Sequence, residues 1–194
     1  MKISIISSSM RSNSQSLKVS NWLSDHLKYL GEDASVTDLQ KEKLPFYDDG
    51  ETTVPQWENI ANQLDISDGF VFVSPEWNGS MSAGLVNLLH FVDKEMAHKP
   101  VMLVSVSSGR GGHYPLIQMR SVGYKNRHFV VSPEALLVQE CENVLNNHED
   151  SDGSDGYVKK RADYALRVLL EYSKNLKNVR SSGVINHTDY PNGV

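Results

Sequence analysis

Residues 69–80 read Gly69-Phe70-Val71-Phe72-Val73-Ser74-Pro75-Glu76-Trp77-Asn78-Gly79-Ser80. The first half is the most apolar run in the chain and barely alternates. That pattern predicts a central parallel strand over 69–74, because parallel sheets are covered by helices on both faces. In the second half, Pro75 and Asn78-Gly79 predict a rigid turn that can aim backbone N–H groups inward, with Trp77 offering a flat apolar surface. Spacing alone leaves two readings of this turn open: a platform for a planar heteroaromatic ring, or a tight turn carrying one exposed aromatic.

Upstream, Lys2–Ile6 is a short β-branched run ending in Ser7-Ser8-Ser9, and Ala34–Leu39 is a second strand candidate. Between them Leu17, Val19, Leu23, Leu27 and Leu30 fall on one helical stripe that Gly31 stops. A long loop is expected over 41–53. A helix follows over 54–64 with Pro55 in its first turn, facing Trp57, Ile60, Ala61 and Leu64 inward. Downstream, a helix is expected over 82–94, with His90 as one of its packed residues. A strand over 100–107 then leads to the Gly-rich turn Ser108-Gly109-Arg110-Gly111-Gly112 and a helix over 116–123. His128–Val131 is a fifth strand, with a short extension near 136–138. The polar, acidic stretch 146–156 precedes a last helix over 158–176. One domain over 1–178 is expected. Residues 179–194 form a tail without periodicity, either mobile or used in subunit contacts.

Strands alternating with helices predict five βα units and a parallel sheet with helices on both faces. Five strands without a second half favour the order 2-1-3-4-5, the flavodoxin-like three-layer α/β sandwich. In that order the chain reverses direction between its first and third strands. A ligand crevice then opens at their carboxyl ends, among loops 7–16, 75–80 and 107–113.

Composition removes other classes. With 194 residues, 19 Lys+Arg against 24 Asp+Glu and a net charge of −5, no concentrated basic face for nucleic acid is expected. No apolar run approaches the roughly 20 residues of a bilayer span, and the N-terminus lacks a signal-peptide pattern. The single cysteine, Cys141, excludes a disulfide framework or a thiolate zinc cluster and fits a reducing, cytoplasmic setting. No cation stands near Cys141 in sequence, so it reads as structural. The seven histidines, at 26, 90, 98, 113, 128, 148 and 187, show no ligand spacing, so no metal site is expected. Asp150, Asp152 and Asp155 do not make a calcium loop, since Arg161 stands where its glutamate would be.

The loop Ser7–Ser16 carries the chemistry. It holds six serines, Asn13 and Arg11 between a buried strand and a helix start. Free N–H groups at a helix start suit a phosphate, serine hydroxyls turn to fit its oxygens, and arginine supplies a charged fork. Capping alone needs one or two such residues. The Gly-rich turn is no dinucleotide fingerprint, because Tyr114 stands where the third glycine belongs. No Ser-His-Asp or Cys-His arrangement stands out. A receiver domain of the same fold would need acidic residues after the first strand, where serines stand.

These motifs resemble the NADPH-dependent FMN reductase family. After its first strand that family has Gly-Ser-x-Arg and a serine-containing helix start, here Ser8-Ser9-Met10-Arg11 with Ser14 and Ser16. After its third strand it has Pro-Glu-Tyr-Asn-Gly-Ser and then Leu-Lys-Asn, here Pro75 to Ser80 and Leu85-Val86-Asn87. The resemblance covers residues 2 to about 131. It implies that Ser9, Arg11, Ser14 and Ser16 hold the FMN phosphate. Pro75, Glu76, Trp77, Asn78 and Gly79 would meet the isoalloxazine edge, and Ser107, Gly109 and Arg110 would flank the flavin from the other side. It further implies hydride transfer from NADPH or NADH to flavin, a small-molecule acceptor, and a homodimer or homotetramer. A flavin-binding sensor or scaffold without turnover is the alternative. Two residues depart from the pattern. Ser8 replaces glycine at the phosphate turn, and Trp77 replaces tyrosine, keeping the plane and losing the hydroxyl.

Overall fold

Phe70 and Phe72 pack on one side of the third strand and Val71 and Val73 on the other, all four without solvent exposure. The strand is therefore the middle layer of a sandwich. The computed structural model describes residues 1–48, 54–123 and 125–193. Its elements are β1 (Lys2–Ser7), α1 (Gln15–Tyr29), β2 (Asp33–Asp38), α2 (Leu39–Glu42), α3 (Pro55–Asp65), β3 (Gly69–Pro75), α4 (Ala83–Phe91), β4 (Pro100–Val106), α5 (His113–Arg120), β5 (Val130–Val138) and α6 (Gly153–Ser181). The five strands pair in parallel in the order β2-β1-β3-β4-β5, as strand count and alternation led us to expect.

Alternate side chains leave a strand on opposite faces, and both faces here are apolar. Ile3, Ile5, Val71, Val73, Met102 and Val104 pack with Val19, Leu23 and Leu27 of α1 and with Ala162, Leu166 and Leu169 of α6. Ile6, Phe70, Phe72, Val101 and Leu103 pack with Ile60 and Leu64 of α3 and Leu85, Leu88 and Leu89 of α4. Each fully buried Phe, Leu or Ile contributes on the order of 1.5–3 kcal/mol.

Several boundaries differ from the sequence reading, each for a physical reason. The fifth strand and its extension are one strand, β5, whose register against β4 shifts between Val101 and Leu103. Pro133 lies in that irregular stretch, where a residue without an N–H cannot continue the ladder. Helix α5 starts at His113, not 116, and takes Pro115 into its first turn. Helix α6 runs from 153 to 181 rather than 158 to 176, because its end turns are polar and carry no apolar period. It thus crosses the boundary expected at 178/179. The loop expected over 41–53 begins with the short helix α2 ending at Glu42, and its residues 49–53 lie outside the described ones. His90 is exposed and stacked on Tyr47 instead of packed inward. The stretch after Ser181 folds back, with the Asn126 amide donating to the Asn192 carbonyl at 3.0 Å. Val194, the last residue of the expected tail, lies outside the described residues.

Candidate functional site

Strand register brings three loops to one end of the sheet. Ser7 sits opposite Val73, and Pro75 opposite Val106, so β1, β3 and β4 finish nearly level. This is the position at which doubly wound sheets bind ligands.

The turn after β1 is clamped from below. Ser8 is fully buried, and its N–H and hydroxyl both donate to the Val73 carbonyl, at 3.0 and 2.9 Å. The Ser82 hydroxyl in turn donates to the Ser8 carbonyl. A Cβ at Gly84, in the first turn of α4, would meet the Met10 sulfur at 2.6 Å and that same carbonyl oxygen at 3.2 Å, so a side chain there would push against the turn. The Ser8 side chain is therefore turned into the sheet. It does not crowd the loop above it.

Above that clamp the chain reaches the start of α1. Ser14 caps the helix, its hydroxyl accepting from the Leu17 amide at 3.1 Å. The amides of Gln15 and Ser16 have no partner within the helix, as its first turn dictates. Ser9 is buried and its hydroxyl accepts from the Arg11 amide at 3.3 Å. These residues line a cavity of about 460 Å³ with Ser12, Asn13, Pro75, Glu76, Trp77, Val106, Ser108 and Cys141. The Gln15 side-chain oxygen in its wall is buried and has no hydrogen-bond donor.

The second loop is a two-residue hairpin. Trp77 and Ser80 exchange backbone hydrogen bonds of 3.1 and 2.9 Å around Asn78 and Gly79, whose φ values are 49° and 70°. Both positive angles are what a type I′ turn needs, and Asn-Gly supplies them at least cost. The turn presents Trp77, and the Arg11 guanidinium lies over its ring at 4.9 Å. The Glu76 carboxylate accepts from the Gly112 amide, tying the third loop to the second. Gln139 donates to the Arg110 and Gly111 carbonyls and holds that loop from its other side.

Of the residues expected at the site, Ser9, Arg11, Ser14, Ser16, Pro75, Glu76 and Trp77 meet in one cavity, and Asn78 and Gly79 form the turn behind Trp77. Ser107, Gly109 and Arg110 do not line it. The Ser107 hydroxyl accepts from the Gly109 amide, and Arg110 points into solvent 3.8 Å from Glu140. Ser108 and Cys141 stand in their place. Cys141 also has a cation after all. Lys18, on the second turn of α1, donates to the Cys141 and Val144 carbonyls at 2.5 and 2.9 Å and to Asn146 Oδ1 at 2.8 Å. Burial nonetheless pushes the Cys141 thiol up, against the pull of Lys18, which keeps it protonated and unreactive. Neither Lys18 nor the unpartnered Gln15 oxygen has a local sequence signal.

A wider hollow of about 600 Å³ lies on the flank of α1 and α6, against Trp22, His26 and His148. It is away from the strand ends, and its polar groups already bond each other: Trp22 Nε1 donates to the Asn147 carbonyl and His26 pairs with Asp163. The strand-end cavity is the candidate.

Sheet order and cavity together define a flavodoxin-like α/β protein with an anion-receptive helix start beside a flat aromatic wall. Among known proteins, the model for NADPH-dependent FMN reductase matches residues 1–143. The chain belongs to that family. It is 29% identical over 127 residues to a probable NADPH:quinone oxidoreductase of Oryza sativa, covering 63% of this chain and 64% of that protein. With an NADPH:quinone oxidoreductase of Arabidopsis thaliana it shares 32% over 134 residues, 65% of this chain and 66% of the relative. The matches thus span just under two thirds of these relatives' length. The solved flavoenzyme FerB, an NAD(P)H:(acceptor) oxidoreductase from Paracoccus denitrificans, superposes with a TM-score of 0.65 at 17% identity. That superposition covers 91% of this chain and 97% of FerB, and it speaks for the fold.

Proposed function

We propose that the strand-end cavity holds FMN and that the chain is an NAD(P)H-dependent oxidoreductase serving a small acceptor: a quinone, free flavin, azo compound or metal oxyanion. When bound, FMN supplies a two-electron carrier that takes hydride from a reduced nicotinamide and passes the electrons on. The observation that carries the reading is one wall that combines the free amides of Gln15 and Ser16, the hydroxyls of Ser9 and Ser14, and Arg11. All are donors suited to a phosphate. The orphaned Gln15 oxygen beside them is an acceptor in want of a donor, which a ribityl hydroxyl would supply. Trp77 offers the ring a face, and Glu76 keeps the 107–113 loop in place. The chain's work is binding and orientation, and no side chain need move a proton.

Quinones come first among acceptors because the plant relatives are named for them. We place the protein in the cytoplasm as a homodimer or homotetramer. A single cysteine, with no partner for an internal disulfide, fits that setting. No helix among the described residues is long and apolar enough to cross a membrane. The exposed Tyr114 and Ile117 on α5, close to the site, offer apolar surface to a second copy.

The test is spectroscopic. Purified protein should carry FMN or take it up when reconstituted, bleach anaerobically with NADPH or NADH, and regain colour on adding a benzoquinone. Protein that cannot be loaded with FMN would sink the proposal. Loaded protein that neither nicotinamide reduces would instead be a flavin-binding sensor or scaffold.

A further inference from the structure

Three histidines that are far apart in sequence meet at the opposite end of the sheet. His98 lies just before β4, His128 just before β5, and His187 on the segment after α6. One ligand nitrogen of each lies within 4.8 Å of the others. Ring centroids are 5.7 Å apart for His98 and His128, 5.3 Å for His98 and His187, and 4.5 Å for His128 and His187. His98 and His128 both adopt left-handed conformations, at φ 54° and 52°, and the His98 amide donates to the His128 carbonyl at 2.9 Å. Such strain at non-glycine residues persists where the surroundings enforce it, and it gathers at functional positions.

The polar groups favour a cation ligand. His98 Nε2 is buried and has no hydrogen-bond partner. His128 Nε2 lies 3.0 Å from the Pro191 carbonyl. A carbonyl only accepts, so that nitrogen carries the proton and the Nδ1 lone pair is free. An imidazole oriented through its other nitrogen by a carbonyl is the usual support of a metal-bound histidine. We propose that His98, His128 and His187 form a binding site for a zinc-class divalent ion that fastens the segment after α6 to the amino-terminal edge of the sheet.

Zinc takes imidazole nitrogens at 2.0–2.1 Å, which sets tetrahedral ligands about 3.3 Å apart. The widest pair of nitrogens therefore tightens by up to about 1.5 Å, and His187, on the chain that folds back after α6, can supply that movement. A strand of this length separates the site from the flavin cavity by about 20 Å. The ion's role is to hold the chain, and the site stands independently of the flavin reading.

The test uses the full chain, stripped with EDTA and titrated with zinc chloride by calorimetry. Uptake of about one ion per chain is expected, and loss of a ligand should weaken it by at least about tenfold. His187→Ala is the main variant, since its residue lies outside the secondary structure. His128→Ala is the second, with circular dichroism to confirm folding. His26→Ala, on α1, should bind zinc as the parent does. Zinc should also slow elastase cleavage after the exposed Val184 in the parent and not in His187→Ala. Uptake that does not saturate, equal uptake by the parent and both site variants, or loss of uptake in His26→Ala would each overturn the proposal.

Discussion

Arg11 is the single cation among the described residues lining the strand-end cavity, in a chain of net charge −5. A flavin phosphate of about −2 meets no helpful overall field, so its binding must be local. The guanidinium lies over the Trp77 ring at 4.9 Å, and its N–H groups are the charged donors the cavity offers a phosphate. A hydrogen bond to a charged group contributes about 1.5–3 kcal/mol, which is about a ten- to hundredfold change in affinity. Arg11→Ala should weaken FMN binding by that factor in a fluorescence titration, and Arg11→Lys should restore only part, having no planar fork. An unchanged dissociation constant would move the phosphate elsewhere. Ser8 predicts the opposite dissociation of effects. Its hydroxyl serves the Val73 carbonyl and not the cavity. Ser8→Gly should therefore lower stability by about 1 kcal/mol in urea while leaving FMN affinity as it was. Arg11 and Ser14 were legible because loop chemistry and capping are local. The unpartnered oxygen of Gln15 was not, since burial without a partner arises only from packing.

At the scale of elements, the cavity depends on clamps between loops. Lys18 draws the chain at 141–146 onto α1 through three acceptors, and Glu76 draws the Gly-rich turn onto the Trp77 hairpin. Burial lowers the Lys18 pKa, with Cys141, Asp155 and Glu142 opposing that fall. The ammonium is therefore held by its acceptors and not by bulk water. Lys18→Met keeps the stem and removes the donor. It should lower the urea midpoint at unchanged slope, by about 1–3 kcal/mol of stability, and loosen FMN binding through the freed Cys141 wall. A variant that loses neither would show the loop to be held by its other contacts. Strand and helix identities were readable because their periods are plain, and GFVFVS alone fixed the sheet's middle. The ends were not. A β-bulge around Pro133 split β5 into two apparent pieces, and the polar end turns of α6 hid its length.

Across the whole molecule the topology followed from counting alternating elements, whereas contacts between distant segments left no pattern in the sequence. The three histidines are one such case, and the anchoring of α6 is another. Asp163 accepts from His26 Nε2 on α1 and from Arg167 Nε, each at 2.8 Å. Asp155 accepts from the Leu145 amide, Ser151 Oγ and Lys159 Nζ, at 2.7, 2.6 and 2.8 Å. The Arg167 bond, with help from His26, holds Asp163 below the usual carboxylate range. Burial pushes Asp155 up, but the bonds from Lys159, Ser151 and Leu145 outweigh it and bring it down as well. A carboxylate whose folded pKa lies below its unfolded value of about 3.9 stabilises the fold fully above that value. The contribution drains away as pH falls through the folded pKa. The urea midpoint should therefore hold near pH 5 and fall steeply below about pH 4, as α6 loses its ties to α1 and to the chain at 145–151. The double variant Asp155→Asn, Asp163→Asn should begin less stable at pH 7 and lose less between pH 5 and acid. If parent and double variant lose stability in parallel over that range, the acid response belongs to other carboxylates, and these two contribute geometry without linkage.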